Sequence, residues 1–418
     1  MHTLDEWVRY GDEIRRPLMI ADELEKSSRV AIIGAGLSGL TIAYRIAKRR
    51  PDIEIELHEK TERVGGVIST WKKGDWICDI AVNAVRPHPA FWRLVEDLDI
   101  SDKFSQSNTN AKSRWIFLRG KQVRLSAKSI LRIGPIKLIS GISKSRMGGK
   151  SVREIIPHAL ISDAMTLGIV NDLSNNVDAD FLMPNLTKFG ENPPIKWSKI
   201  KKMMKSTYPI FMPTKGSVAS FSGGMQTLID SLYEELEELE NVKVIFGSNF
   251  EDATEASKKL GLEKHSIIWA APPKVGKNNF TELKIYAVGY DSEQCQDIPV
   301  GYGTLIPNQS ISISGILHES DVHSTNRAPP NHRLFRIMSP NSRGASEVEV
   351  KEDLKKILCK HDPVLFECIG ERRIPKYPPG YMGSLETGEA EYTRSGWFFS
   401  GVSVTHVVAE AERIAERF

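Results

Sequence analysis

Gly34, Gly36 and Gly39 form a Gly-x-Gly-x-x-Gly triplet, and a carboxylate, Glu59, stands twenty residues past the last of them. Glycines at that spacing let a pyrophosphate approach backbone amides at a helix N-terminus, because no Cβ stands in the way. A carboxylate closing the next strand can accept hydrogen bonds from both hydroxyls of an adenosine ribose. The chemistry implied is capture of a dinucleotide. The triplet alone is weak, and a glycine-rich turn without a ligand is the plain alternative. Its surroundings strengthen it. Val30–Ile33 reads as a buried parallel strand before it, a helix is predicted from near Leu37 through Thr41–Lys48, and a second strand, Ile53–Leu57, leads to Glu59.

After Glu59 come Lys60, Thr61, Glu62, Arg63, Val64, Gly65 and Gly66. A glycine pair led by an arginine lets a second backbone segment approach the same dinucleotide. This E-x-x-x-R-x-G-G pattern resembles the FAD-binding amine oxidase and protoporphyrinogen oxidase superfamily. The resemblance implies FAD, with the arginine and glycines on its diphosphate. The cofactor-binding residues it implies are Gly34, Gly36, Leu37, Ser38, Gly39, Glu59, Lys60, Arg63, Gly65, Gly66, Phe250, Ala271, Gly401 and Val404.

Further segments resemble protoporphyrinogen oxidases. Gly223–Leu228 is similar to the family's turn at the return to the FAD domain. Gly301–Pro307, Gly315–Ser320 and Arg373–Tyr381 resemble its G-F-G-x-L-V-P, L-G-I-x-x-D-S and I-P-Q-Y-x-x-G-H segments. The resemblance implies oxidation of protoporphyrinogen IX to protoporphyrin IX in three two-electron steps, with molecular oxygen as acceptor. No acid–base dyad is required, since the flavin carries the chemistry and the protein positions a large apolar ring with two propionates. Arg114 falls where the family has its propionate-binding arginine, and a guanidinium suits a carboxylate through its bidentate fork. Tyr302 and Leu305 match residues that sandwich the tetrapyrrole, Met338 is a candidate for the same slot, and Gly168 aligns with a glycine facing the reacting carbon. The plain alternatives are a surface arginine and ordinary core.

These residues must be positioned by an α/β fold. The expected architecture is a discontinuous Rossmann-like FAD-binding domain, a sheet-based substrate domain and a helical membrane-binding domain. The boundaries read as an N-terminal extension (1–28), FAD-binding segments (29–102, 216–275 and 385–418), a basic helical membrane-binding or substrate region (103–215) and a substrate domain (276–384). Trp397–Gly401 reads as a strand meeting glycine, with a helix from about Thr405. Met1–Ser28 carries seven carboxylates and reads as a helical, partly solvated extension, neither secretory signal nor transit peptide.

At 418 residues, with 40% hydrophobic and 26% charged residues and a net charge of +3, the composition is that of a globular chain of two or three domains. Four scattered cysteines without a C-x-x-C suggest neither a zinc site nor a disulfide framework, and no metal site is expected. Charge distribution says more than net charge. Residues 103–153 hold thirteen Lys or Arg and no Asp or Glu, and isoleucines and leucines interleave with Lys128, Arg132, Lys137, Lys144 and Arg146. A second basic patch covers Lys196–Lys205. Such mixtures suit an anionic bilayer surface, where each cation near it adds about 1 kcal/mol. A solvated basic face is the plain alternative. Nucleic acid is not expected, as no motif of that class is present. The expected setting is peripheral to a membrane: the mitochondrial inner membrane in a eukaryote, the cytoplasmic face in a bacterium. Homodimerisation stays open.

The chain also departs from the family. Ala81–Pro87 lacks the glycine of G-P-R or G-P-N, Gly168–Asp172 replaces G-x-Y-A-G-D, a short polar stretch stands where a hairpin is expected after Phe250, and the C-terminal A-G-x-x-Y-x-G-V is shortened to Ser400–Val404. Two other readings therefore stay open. One is another flavin amine oxidase or desaturase-like enzyme, for which Trp397 and Phe398 are cage candidates. The other is a non-catalytic porphyrin-binding relative.

Overall fold

The computed structural model describes residues 16–86, 88–125, 134–196, 198–199, 218–273, 279–385 and 390–418. Lys128, Arg132 and most of the second basic patch lie outside the described residues.

Two sheets organise the chain. The first has five parallel strands in the order Thr393–Arg394, Ile267–Trp269, Arg29–Ile33, Glu54–His58 and Val242–Ile245. Its central strand, Val30–Ile33, is buried on both faces, which is why it is continuously apolar instead of alternating. Ile33 pairs with His58 on one side and Trp269 on the other, so their carboxyl ends open at one edge, where doubly wound sheets bind ligands.

The surrounding helices include α1 (Leu37–Arg49), α2 (Pro135–Lys144), α3 (Ala159–Val170), α4 (Gln226–Glu237) and α5 (Val404–Ala415). Leu40, Ile46, Leu228, Leu232, Val408 and Ile414, from α1, α4 and α5, meet in one apolar core with Val30, Ile32 and Ile55.

The second sheet has seven strands, ordered Leu365–Pro375, Phe280–Asp291, His332–Pro340, Gly315–Leu317, Gly303–Leu305, Arg114–Leu118 and Lys121–Arg124. All its pairings are antiparallel except Gly303–Leu305 with Arg114–Leu118.

Three local expectations change. The described part of the N-terminal extension has no α-helix, only a 3-10 turn at Leu24–Lys26. Met19 bridges Arg394 and the Ala21 amide donates to Thr393 Oγ1, so this segment borders the first sheet, with Arg16, Met19 and Leu24 buried. The strand expected at Trp397–Gly401 is a turn, and the sheet is entered earlier, at Thr393–Arg394. Gly396 has φ +106°, and its carbonyl accepts from the amides of Phe399 and Ser400. After Phe250, the helix Ala253–Leu260 occupies the stretch compared with a hairpin, capped by Asp252 on the Glu255 amide.

Candidate functional site: a glycine cradle beside a mixed sheet

At the open edge of the first sheet the chain turns through Gly34, whose φ is +108°. A Cβ there would stand 2.9 Å from the Ala271 amide nitrogen, so strand ends 237 residues apart approach backbone to backbone (271 − 34). A Cβ on Gly39 would collide with the Gly34 carbonyl oxygen. The Gly65 amide donates to the Ala35 carbonyl at 2.7 Å, Gly36 bridges Gly65, and a Cβ on Gly66 would lie 3.3 Å from the Gly36 Cα. The two glycine motifs of the sequence thus form one cradle.

Glu59 is buried beneath it. Its Oε2 accepts from the Ala35 amide at 3.1 Å, and its Oε1 from the Thr61 amide and hydroxyl at 3.0 and 2.9 Å. Arg63 Nη1 donates to the carbonyls of Val64 and Ile68. That guanidinium shapes the second glycine loop, and Lys60 is exposed beside it. Phe250 meets the His58 ring edge-on and packs with Ile33, Trp269 and Ala271. Leu37 is buried at the start of α1.

Ser38 leads to a pair that sequence reasoning missed. Its hydroxyl lies 2.6 Å from that of Ser395, which donates to Glu410 Oε2 at 2.6 Å, and the Gly396 amide donates to the same oxygen at 3.0 Å. Burial pushes the Glu410 carboxyl up to about 7, although these hydrogen bonds pull the other way. No spacing pattern marks it, since the serine is on a turn and the glutamate on α5. Gly401 has φ +104° and Val404 is the first residue of α5, the helix that carries Glu410.

The second sheet carries the other candidates. Its register aligns Leu305, Gly315 and Met338 across three strands. Met338 Cε is 2.7 Å, and a Leu305 methyl 3.7 Å, from the position of a Cβ on Gly315. Gly168 on α3 faces Leu305, whose methyls would be 3.6 Å from its Cβ. Arg114 pairs in register with Gly303, and its guanidinium carbon is 4.9 Å from the centroid of the Tyr302 ring. Tyr302 OH donates to Asn83 Oδ1 at 3.3 Å. All five substrate candidates therefore belong to one neighbourhood, with Arg114 exposed and Tyr302, Leu305 and Met338 half-buried.

A buried charge network that the sequence did not suggest joins Asp79, Glu319, His323, Arg327 and Arg336. Asp79 accepts from Thr70 Oγ1 and the Met225 amide and lies 3.6 Å from Arg327. Glu319 meets His323 at 2.9 Å and Arg336 at 3.2 Å. Arg336 also donates to the carbonyls of Asp79 and Ala81. Burial opposes ionisation of Glu319, but Arg336, His323 and Arg327 outweigh it and hold its carboxyl at about 2. Burial raises Asp79 despite Arg327. The network ties the two-stranded pair Thr70–Lys73 and Trp76–Asp79, which carries Asp79, to the second sheet through Arg336. Among the described residues no cluster of His, Cys, Asp or Glu could hold a metal ion.

Comparison with known proteins agrees with this geometry. Residues 32–98 match the family model of an NAD(P)-binding Rossmann-like domain. Coproporphyrinogen III oxidase of Staphylococcus aureus is 22% identical over 267 residues, 56% of each chain. Protoporphyrinogen oxidase 1 of Arabidopsis thaliana is 22% identical over 443 aligned positions, covering 88% of this chain and 82% of the relative. An L-amino-acid oxidase of Crotalus adamanteus is 32% identical over 99 residues, 18% of its length. The chain thus spans about half of the Staphylococcus relative and less than a fifth of the Crotalus one. Among solved structures, an Exiguobacterium protein provisionally assigned as a protoporphyrinogen oxidase superposes with TM-score 0.63 at 17% identity, covering 93% of this chain and 98% of that one. A putrescine oxidase variant gives 0.60 at 13% identity, with coverages of 93% and 98%.

Cradle, parallel sheet and matched segment define the class: an α/β protein with a Rossmann-like FAD-binding domain. Within it, the chain is a divergent member of the FAD-binding amine oxidase superfamily of flavin-dependent oxidoreductases. FAD fits the residues present: a backbone cradle without Cβ atoms at Gly34, Gly36, Gly39, Gly65 and Gly66, with the buried carboxylate of Glu59 bound to its Ala35 amide.

Proposed function

We propose that the protein oxidises protoporphyrinogen IX to protoporphyrin IX in haem biosynthesis, with molecular oxygen as terminal acceptor. Six electrons and six protons leave the macrocycle, and three O2 become three H2O2. Bound FAD supplies the two-electron acceptor that makes each step possible. The residues of this chain bind and orient. Arg114 holds a propionate at the exposed end. Tyr302, Leu305 and Met338 give the ring an apolar wall, and Gly168 leaves room for a flat edge. The single observation that carries the reading is the convergence of these five residues from four separate parts of the sequence, Arg114 against Tyr302 and Gly168 and Met338 about Leu305.

The amine-oxidase alternative is weakened by its cage candidates. The rings of Trp397 and Phe398 stand at 87°, and Phe398 is buried against Phe280. Two parallel faces that could enclose an amine are absent from this pair.

We also propose attachment to an anionic membrane surface through α2. Its Ile136, Ile139 and Ile142 are 82%, 67% and 58% exposed, whereas its buried residue is Gly141, where a Cβ would strike the Ile155 carbonyl. The helix thus turns its apolar side outward beside Lys137 and Lys144, the arrangement an interfacial helix needs. Among the described residues no helix is long and apolar enough to cross a membrane.

The test is turnover in air. FAD-loaded protein supplied with protoporphyrinogen IX is expected to generate porphyrin fluorescence faster than autoxidation. Preference for coproporphyrinogen III would move the substrate within the class. Flavin reduction by an amine, without porphyrin chemistry, would favour the other oxidase reading, and porphyrin binding by a colourless protein the non-catalytic one.

A further inference from the structure

Arg16 places a buried cation at the head of α5. Its side chain is 5% exposed. From the edge segment that Met19 and Ala21 tie to Arg394 and Thr393, it reaches Phe181, donating from Nη2 to the carbonyl at 2.6 Å with its guanidinium 5.2 Å from the ring centroid. Its Cζ, Nε and Nη2 lie 2.6–2.9 Å from the position a Cβ on Gly401 would take. Any side chain at 401 would displace the guanidinium, which gives this glycine a second constraint beside its φ of +104°.

Other features of this turn have the same sign. Ser403, the N-cap of α5, makes no side-chain cap bond, so the positive end of the helix dipole is not offset there. His406, one turn in, is driven well below its ordinary range by burial and then by Arg16, His88 and Arg86. Its Nδ1 has no hydrogen-bond partner among the described residues. Glu410, whose carboxyl burial raises to about 7, is also reached electrostatically by Arg16. Positively charged groups therefore gather at the turn that carries Gly401 and Val404, two of the residues the resemblance implies for the cofactor.

We propose that Arg16 meets the pyrimidine edge of the flavin and stabilises the negative charge that the ring gains on two-electron reduction. The inference rests on FAD lying along Gly401 and Val404. A buried cation beside that edge acts through a low dielectric, where it lowers the energy of the charged reduced form most. The electron pair comes from the reduced substrate or, in the test, from a chemical reductant.

The test uses the full chain loaded with FAD. Arg16→Gln keeps a donor for Phe181 but removes the charge, Arg16→Met is a second neutral variant suited to a buried site, and Arg16→Lys keeps the charge. The readouts are FAD affinity, sulfite affinity and anaerobic midpoint potential. The neutral variants are expected to bind sulfite about tenfold more weakly, with a potential lower by about 30 mV, the two-electron equivalent of that factor. Arg16→Lys is expected to recover most of both. Unchanged sulfite affinity and potential in a neutral variant would overturn the proposal. So would tighter FAD binding than wild type, which would make Arg16 an obstruction. If wild type takes up no FAD, the cofactor placement falls and this inference with it. If the neutral variants show the expected shifts but wild type oxidises no porphyrinogen, only the substrate reading falls.

Discussion

The glycine cradle and the five-residue group on the second sheet are built by opposite means. The cradle is made of backbone: its constraints are a positive φ, a carbonyl too close for a methyl group and amides donating to Glu59. The second group is made, Gly168 on α3 apart, of side chains held in register by Gly303–Leu305, Gly315–Leu317 and His332–Pro340, and the last of these strands carries Arg336 into the buried network with Asp79, Arg327 and Glu319. A backbone site tolerates almost no added atom. A side-chain site tolerates change at its rim and fails when its buried charges are unpaired.

That contrast can be broken by mutation. The largest effect is expected in the cradle. Gly39→Ala puts a methyl on the Gly34 carbonyl, and the protein is expected to lose all measurable FAD. Retention of stoichiometric yellow cofactor, read by absorbance after gel filtration, would remove the backbone argument.

Arg336→Ala is expected to cost about 3–5 kcal/mol in urea unfolding, because Glu319 would be left charged and buried. The double variant Arg336→Met with Glu319→Leu is expected to recover much of that loss. If the single variant is as stable as wild type, the network is not what supports the second sheet.

Arg114→Ala should act at the rim. About a tenfold rise in KM for protoporphyrinogen IX is expected, equivalent to about 1.4 kcal/mol, with flavin content unchanged. A fall in flavin content with KM unaltered would reverse the assignment of the two regions.

The smallest effect concerns Glu410, which joins the cradle to α5. Its folded pKa, about 7, lies above its ordinary 4.5, so the folded chain holds a proton over that window that the unfolded chain has released. Its contribution to stability is therefore present at acid pH and is lost as pH rises through 7. Thermal melts of Glu410→Gln are expected to show a weaker decline between pH 5 and 8 than wild type. Parallel curves would show that the carboxyl does not titrate there.

How far each region could be read from the sequence follows from the same difference. Gly34, Gly36, Gly39 and Glu59 belong to one strand–helix–strand unit, so local spacing carried their geometry. The α/β class with a Rossmann-like FAD-binding domain was legible on that basis. Asp79 and Arg327 are 248 residues apart (327 − 79), and Ser395 and Glu410 lie on a turn and a helix, so no periodicity could join either pair. Arg16 was hidden in a segment whose many carboxylates suggested a solvated helix, when its buried residues in fact border a sheet. The run Trp397–Phe399 is apolar enough for a strand, but its rings turn into the core around Gly396, a distinction that a short apolar run does not carry.

The proposed function requires one chain to bring FAD and a porphyrinogen together. Anaerobic titration of the FAD-loaded protein with protoporphyrinogen IX tests it most directly. The oxidised flavin band is expected to bleach as porphyrin absorbance appears, three flavins reduced for each porphyrin formed. A flavin band that persists through an excess of porphyrinogen, in a protein that dithionite readily reduces, would contradict it.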